Sequence, residues 1–322
     1  MPWELVNSID PGTSERTVLR FPDSALQDIE IPCVVVRGAG DGPKLAVVAG
    51  VHGGEYPGPA AAIRLSREID PAALSGSIVI VPVVNQTAFW GRTAFVTPDD
   101  GKNLNRVFPG NPDGSFSEVL ACRLFDAVVR PADALIDLHS GDIFESLSPF
   151  SGFYDVLDDT LRTRSESIAW AFDLPSICKY PAPPVDNECL TAAAVRAGVA
   201  SVLVEVGGNG LLNTEDENAV FDGLINSLRA IGCLDEPVQP TSPVRFEPVA
   251  GVDADKDGLW RPEVSLDQQV RAGDRIGVLT DQFGDVLSEF TAPEDGQVVF
   301  FMTCLPVQSG DFLVALGRPA DS

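Results

Sequence analysis

The chain has 322 residues, 44% hydrophobic and 21% charged, with a formal net charge of −25. That length can bury a large core in two domains, and no apolar run approaches the ~20 residues of a membrane-spanning helix, so no membrane partner is expected. The negative field repels polyanions, which excludes nucleic acid as a partner. The opening residues lack the basic-then-apolar pattern of a secretory signal, and a cytoplasmic location is expected. The cysteines Cys33, Cys122, Cys178, Cys189, Cys233 and Cys304 are scattered without a CxxC pair, so reduced thiols are expected rather than disulfides or a thiolate zinc site.

In chain order, residues 1–43 read as a leading segment of short strands, notably 32–37, closed by a glycine-rich turn at 38–42. Leu45 to Ala49 is a continuous apolar run, the pattern of a strand covered on both faces. It runs into Gly50-Val51-His52-Gly53-Gly54-Glu55, a turn at the strand's carboxyl end, where open α/β sheets place their sites. A helix is expected over 57–69 and a second buried strand over 77–84, ending in Asn85. The polar, proline-punctuated stretch 85–110 reads as one long loop carrying Arg92, Asn105 and Arg106, and loops of that length are usually functional. An amphipathic helix over 116–129 leads into the apolar strand Ala134–His139. Helices are expected over 158–172, 191–197 and 214–231, with a strand over 200–208 in which Glu205 is the only charge.

The composition changes at the proline-rich stretch 236–243, which divides the chain into a first domain, 1–236, and a second, 237–322. The second reads as short strands and glycine turns. Val270-Arg271-Ala272-Gly273-Asp274 and Val307-Gln308-Ser309-Gly310-Asp311 share one pattern, so a small antiparallel barrel with internal pseudo-symmetry is expected. It is similar to biotinyl/lipoyl carrier barrels, but no lysine occupies its turns.

The chain has two histidines, His52 and His139, and each ends an apolar strand. With Glu55 three residues after His52, the pattern points to a His/Glu/His site for one zinc ion, which three protein ligands leave open to water. Asp137 lies two residues before His139, on the same side of the pleat. It either orients that ligand from behind or caps local backbone. With both imidazoles on a metal, Glu205 remains as the candidate general base. Arg92 would stabilise the oxyanion, and Asn105 with Arg106 would hold a substrate carboxylate.

HGGE at 52–55, NLNRVFPG at 103–110, DLHS at 137–140 and VEVGG at 204–208 together resemble the succinylglutamate desuccinylase/aspartoacylase family. The longer NLNRVFPG form is more similar to its bacterial deacylase branch, which includes N-acetyl-diaminobutyrate deacetylase. The resemblance implies an α/β fold like that of metallocarboxypeptidases, a mixed sheet flanked by helices, with a small all-β C-terminal domain. It implies one zinc per chain, held by His52, Glu55 and His139, with Glu205 as the catalytic glutamate, Asn105 and Arg106 as the carboxylate pair and Arg92 on the oxyanion side. The expected partner is a small anionic N-acyl amino acid, and homo-oligomers are compatible with the sequence. The alternatives are a zinc carboxypeptidase acting on peptides and a catalytically silent small-molecule-binding relative.

Overall fold

The structure, a computed structural model, describes residues 1–239 and 241–320. Its strands, in chain order, are β1 (Thr13–Leu19), β2 (Ile31–Arg37), β3 (Gly40–Ala49), β4 (Ser75–Val81), β5 (Ala134–His139), β6 (Glu145–Leu147), β7 (Phe150–Asp155), β8 (Ser176–Pro181) and β9 (Ala200–Glu205). The helices are α1 (Pro2–Ser8), α2 (Pro57–Glu68), α3 (Gln86–Gly91), α4 (Phe116–Leu124), α5 (Asp159–Ala171), α6 (Leu190–Arg196) and α7 (Thr214–Ala230).

The apolar run Leu45–Ala49 is fully buried because β3 lies between β4 and β5, parallel to both. Alternate residues serve opposite faces, as the two-residue period of a strand requires. Ala46 and Val48 pack into a core with α1, α4 and α6, whereas Leu45, Val47 and Ala49 join α2, α5 and α7 on the other side. Among the described residues, thirteen strands form one mixed sheet in the order β1-β2-β4-β3-β5-β9-β7-β8, continuing into strands of the C-terminal region.

That region contributes β10 (Val244–Asp253), β11 (Gly258–Pro262), β12 (Gln269–Val270), β13 (Arg275–Thr280), β14 (Val286–Thr291), β15 (Gly296–Met302), β16 (Pro306–Val307) and β17 (Phe312–Pro319). It is all-β, with its own core around Trp260, Ile276, Leu279 and Leu313. The two copies of the repeated pattern build the same turn. In each, the glycine takes a left-handed φ, 90° at Gly273 and 93° at Gly310. The aspartate then accepts a backbone N–H three residues back, Asp274 from Arg271 at 2.8 Å and Asp311 from Gln308 at 2.7 Å.

The sequence did not reveal how this region is attached. β10 pairs in parallel with β8, Phe246 opposite Cys178, and β15 pairs with β6, Phe300 opposite Leu147. One C-terminal sheet therefore extends the main sheet, and β11, β13, β14 and β16 form a separate four-stranded one.

Other departures have local causes. The leading segment contains α1 as well as strands; its seven residues are too few to show a helical period, yet Trp3 and Val6 are buried and Trp3 Nε1 donates to Val128 O at 2.8 Å. The turn expected over 38–42 shortens because β3 begins at Gly40. The expected loop 85–110 holds α3 and a short 3-10 turn over Leu104–Arg106. The helix expected over 116–129 continues past α4 as a π turn over Phe125–Val129. No helix among the described residues is long and apolar enough to cross a membrane.

Candidate active site

His52 and Glu55 sit on the turn that leaves β3. Asn85, at the end of β4, shapes that turn: its backbone N–H donates to Gly50 O at 2.9 Å and its buried side chain donates to Val51 O at 3.2 Å and Thr97 Oγ1 at 2.8 Å. Its Oδ1 accepts from the Ala88 N–H and caps α3. Gly53 is required by close approach, since a Cβ there would stand 2.2 Å from Ala88 O. Asn85→Ala orphans buried backbone groups, and it is expected to cost about 2 kcal/mol, read as a lower urea midpoint at unchanged m-value. An unchanged midpoint would show that Asn85 does not hold the turn.

The three groups meet. His52 Nδ1 is 2.6 Å from Glu55 Oε1, and His139 Nδ1 is 2.9 Å from Glu55 Oε2. The imidazole centroids are 5.2 Å apart. The far nitrogens are held from behind: His52 Nε2 is 3.0 Å from Asn103 Oδ1, and His139 Nε2 is 3.1 Å from Asp137 Oδ1. Asn103 Oδ1 also accepts the Asn105 N–H at 2.8 Å, which assigns oxygen, not nitrogen, to the atom facing His52. The Asp137 approach is close but skewed, leaving both its buried oxygens without an aligned donor.

This arrangement fits a divalent cation. With the Nε2 protons directed at Asn103 and Asp137, both Nδ1 lone pairs converge on a carboxylate, and three electron-rich groups turned inward need a positive charge between them. One ligand atom from each of His52, Glu55 and His139 lies within 4.8 Å of the others, and two imidazoles with one carboxylate are the donor set of a three-ligand zinc site. Burial pushes the His52 and His139 pKa values down, but the facing carboxylates, Glu55 for His52 and Asp137 with Glu55 for His139, more than reverse this. Burial raises Glu55, and the two imidazoles outweigh it and bring its carboxyl down to about 2.

Glu205 pairs in register with His139, because β5 and β9 run parallel. Its Oε2 is buried without a hydrogen-bond partner. Burial, reinforced by the Glu55, Glu145 and Asp137 charges and opposed by His139, holds its carboxyl well above the usual range. Asn105 is buried; Oδ1 accepts the Leu190 N–H at 2.8 Å and Nδ2 lies 3.5 Å from His139 Nε2. Arg106 donates to Asn105 O at 2.8 Å and has no carboxylate partner among the described residues.

These groups line a cavity of about 740 Å³ containing His52, Glu55, Asn105, Arg106, His139 and Glu205. Its far wall comes from the C-terminal region, with Phe246, Val299, Phe300 and Phe312. Arg92 is not brought to the cavity. It is the left-handed C-cap of α3, with φ 53°, and that turn leaves it exposed.

Sequence reasoning missed Asn103, the apolar wall and Glu145. Asn103 stood within the quoted NLNR motif, two residues before Asn105; Glu145 carried no periodic or motif signal. Burial, with the Glu55 and Asp142 charges adding to it against a backbone hydrogen bond from Asp142, pushes the Glu145 carboxyl up to about 7. A raised carboxyl binds its proton more tightly in the folded state, so stability falls as pH rises from about 4.5 to 7. In metal-free protein, Glu145→Gln is therefore expected to be stabilising at pH 8 and neutral near pH 4, read by thermal melts at both. A pH-independent difference would contradict this.

The family model of the succinylglutamate desuccinylase/aspartoacylase catalytic domain matches residues 41–231. The N-alpha-acetyl-L-2,4-diaminobutyric acid deacetylase of Halomonas elongata is 31% identical over 310 residues, covering 93% of this chain and 89% of its own. The crystal structure of a succinylglutamate desuccinylase/aspartoacylase from Rhodobacter sphaeroides superposes with a TM-score of 0.85 at 28% identity, covering 98% of both chains. The product-bound ectoine utilization protein EutE (DoeB) from Ruegeria pomeroyi gives a TM-score of 0.85 at 26% identity, covering 97% of this chain and 98% of its own. Matched along its catalytic half and along nearly its full length, the chain belongs to the succinylglutamate desuccinylase/aspartoacylase family.

Proposed function

We propose that the protein is a zinc-dependent amidohydrolase that removes the acyl group from a small N-acyl amino acid. The observation that carries this reading is the convergence of both imidazoles of the chain on Glu55, with Glu205 beside them and facing the same cavity. His52, Glu55 and His139 would hold the ion. Zinc bound there supplies a Lewis acid that polarises the scissile carbonyl and makes water nucleophilic near neutral pH.

The remaining roles belong to the chain's own side chains. Glu205 accepts the proton of the attacking water at its free Oε2 and passes it to the amide nitrogen as the C–N bond breaks, giving a carboxylate and an amine. Arg106, with no carboxylate of its own among the described residues, receives the substrate carboxylate in a two-pronged contact, and Asn105 offers its amide N–H beside it. Asn103 and Asp137 position the imidazoles. Arg92 receives no step here, because its side chain lies outside the cavity lining. We assign the chemistry to residues 1–236 and the apolar wall, which restricts substrate size, to residues 237–322.

A screen of N-acetyl, N-succinyl and N-formyl amino acids, with and without chelator, tests this reading. Chelator-sensitive release of one acid class supports it. Release of C-terminal residues from peptides instead would favour a carboxypeptidase, and no metal-dependent turnover would favour a silent binding protein.

A further inference from the structure

The cavity is longer than the reaction just described requires. At about 740 Å³ it has the size of a pocket that encloses a drug-sized ligand. Yet the metal-binding group, the base and the carboxylate-binding pair are gathered at the carboxyl ends of β3, β5 and β9 and on the 3-10 turn over Leu104–Arg106. From there the floor runs on across the sheet. Leu203 of β9 pairs with Gly152 of β7, Gly152 with Cys178 of β8, and Cys178 with Phe246 of β10, and all four line the cavity. At the usual spacing between neighbouring strands, this row covers about 14 Å from β9 to β10. An acetyl group held at the ion cannot span it.

The far end is built from a different set of residues. No lining residue contributed by β7, β8 or the C-terminal region is charged, in a chain whose net charge is −25. Its walls are phenyl rings: Phe300 and Phe312 pack with centroids 5.3 Å apart, and Phe246 closes the row. Glycines make room for them. A Cβ at Gly317 would stand 2.6 Å from the Phe246 ring, and one at Gly251 would stand 2.5 Å from the Phe312 ring. Ala315, opposite Phe300 in register, keeps the lining between the rings low.

An aromatic-walled compartment without charge offers no counterion to a carboxylate or an ammonium, either of which would lose hydration there. What it rewards is apolar surface, since each methylene moved out of water raises affinity by about fourfold. Its continuity with the catalytic end places such a group on the same molecule as the scissile amide.

We propose that the end of the cavity between Gly152 and Phe312 is a second subsite, which takes an extended apolar substituent of the substrate, carried on its acyl group or on its amino-acid side chain. This rests on the deacylase reading above and makes the length of an apolar chain a determinant of selectivity.

Calorimetric titration of zinc-loaded wild-type protein, Phe312→Ala and Ala315→Leu tests the subsite independently of turnover. The ligands are zinc-chelating hydroxamates of increasing length: acetohydroxamate, butyrohydroxamate, hexanohydroxamate and octanohydroxamate. In wild-type protein, affinity is expected to rise about tenfold or more from the first to the last. Phe312→Ala removes a wall and Ala315→Leu fills the space beneath it. Each should cut that gain to about threefold or less and leave acetohydroxamate within about threefold of wild type. No gain along the wild-type series, a gain that survives both substitutions, or loss of acetohydroxamate in step with octanohydroxamate in both would overturn the proposal. Turnover of N-acylglycines of increasing acyl length, and of N-acetyl amino acids of increasing side-chain length, then identifies the carrier: kcat/KM should rise along one series. A hydroxamate gain without turnover of either series would keep the subsite and sink the deacylase reading; turnover of both at rates independent of length would do the reverse.

Discussion

Glu205→Gln is expected to lower kcat by about 10³-fold, within the range by which a positioned general base accelerates proton transfer, and to leave KM within a few-fold. The substitution keeps the shape of the side chain beside His139 and removes only its capacity to take a proton. Zinc content should be unchanged, because Glu205 is not among the three converging donors. The split between kcat and KM is informative, since a group acting only in the transition state alters kcat and kcat/KM equally. An unchanged kcat would remove Glu205 from the mechanism. Loss of zinc together with activity would make it a ligand instead.

Glu55→Ala should have an even larger effect. Glu55 is the one group that both Nδ1 atoms face, at 2.6 and 2.9 Å, and without it the part-buried His52 and buried His139 imidazoles are left opposite each other. Zinc in dialysed protein is expected to fall from one per chain to almost none, with activity falling beyond ~10³-fold. The same change should erase the stabilisation that zinc confers on the wild-type fold, about 4 kcal/mol when free zinc exceeds Kd a thousandfold. A melt with and without chelator reads this: the wild-type midpoint should drop on chelation and that of Glu55→Ala should not move. Retention of stoichiometric zinc by Glu55→Ala would contradict the assignment. Asn103→Ala offers a graded comparison, since loss of a partner behind a ligand histidine weakens metal binding by about 10–100-fold.

Much of the site was legible because it lies at the ends of strands that announce themselves. Leu45–Ala49, Ala134–Leu138 and Ala200–Val204 are apolar enough to mark the centre of a sheet covered on both faces. Once those strands are parallel neighbours, the turn carrying His52 and Glu55, the end carrying His139 and the end carrying Glu205 fall at one edge. The repeated V-x-[AS]-G-D pattern was likewise readable, because a left-handed glycine followed by a backbone-capping aspartate is a local requirement.

The rest depended on contacts far apart in sequence. β7 and β8 have mixed composition because one face of each, at every second residue, meets the cavity, so Tyr154 and Tyr180 line it from strands that no apolar run marks. The cavity's far wall is likewise a product of pairing between β8 and β10 and between β6 and β15, with no sequence signal of its own. Glu145 belongs to that seam, and it looks like any surface glutamate until the seam is built. Arg92 shows the opposite failure. Its residue type suited an anion, but a left-handed backbone at the end of α3, itself unmarked in the sequence, leaves it exposed.

The central claim is that both imidazoles and Glu55 hold one ion. Its most direct measurement is a crystal structure of zinc-loaded protein with anomalous data across the zinc edge. We predict a single strong peak about 2.0–2.2 Å from His52 Nδ1, His139 Nδ1 and a Glu55 carboxylate oxygen, with Glu205 facing it across the cavity. A peak bound elsewhere, or one reached by only one of the two histidines, would contradict the account.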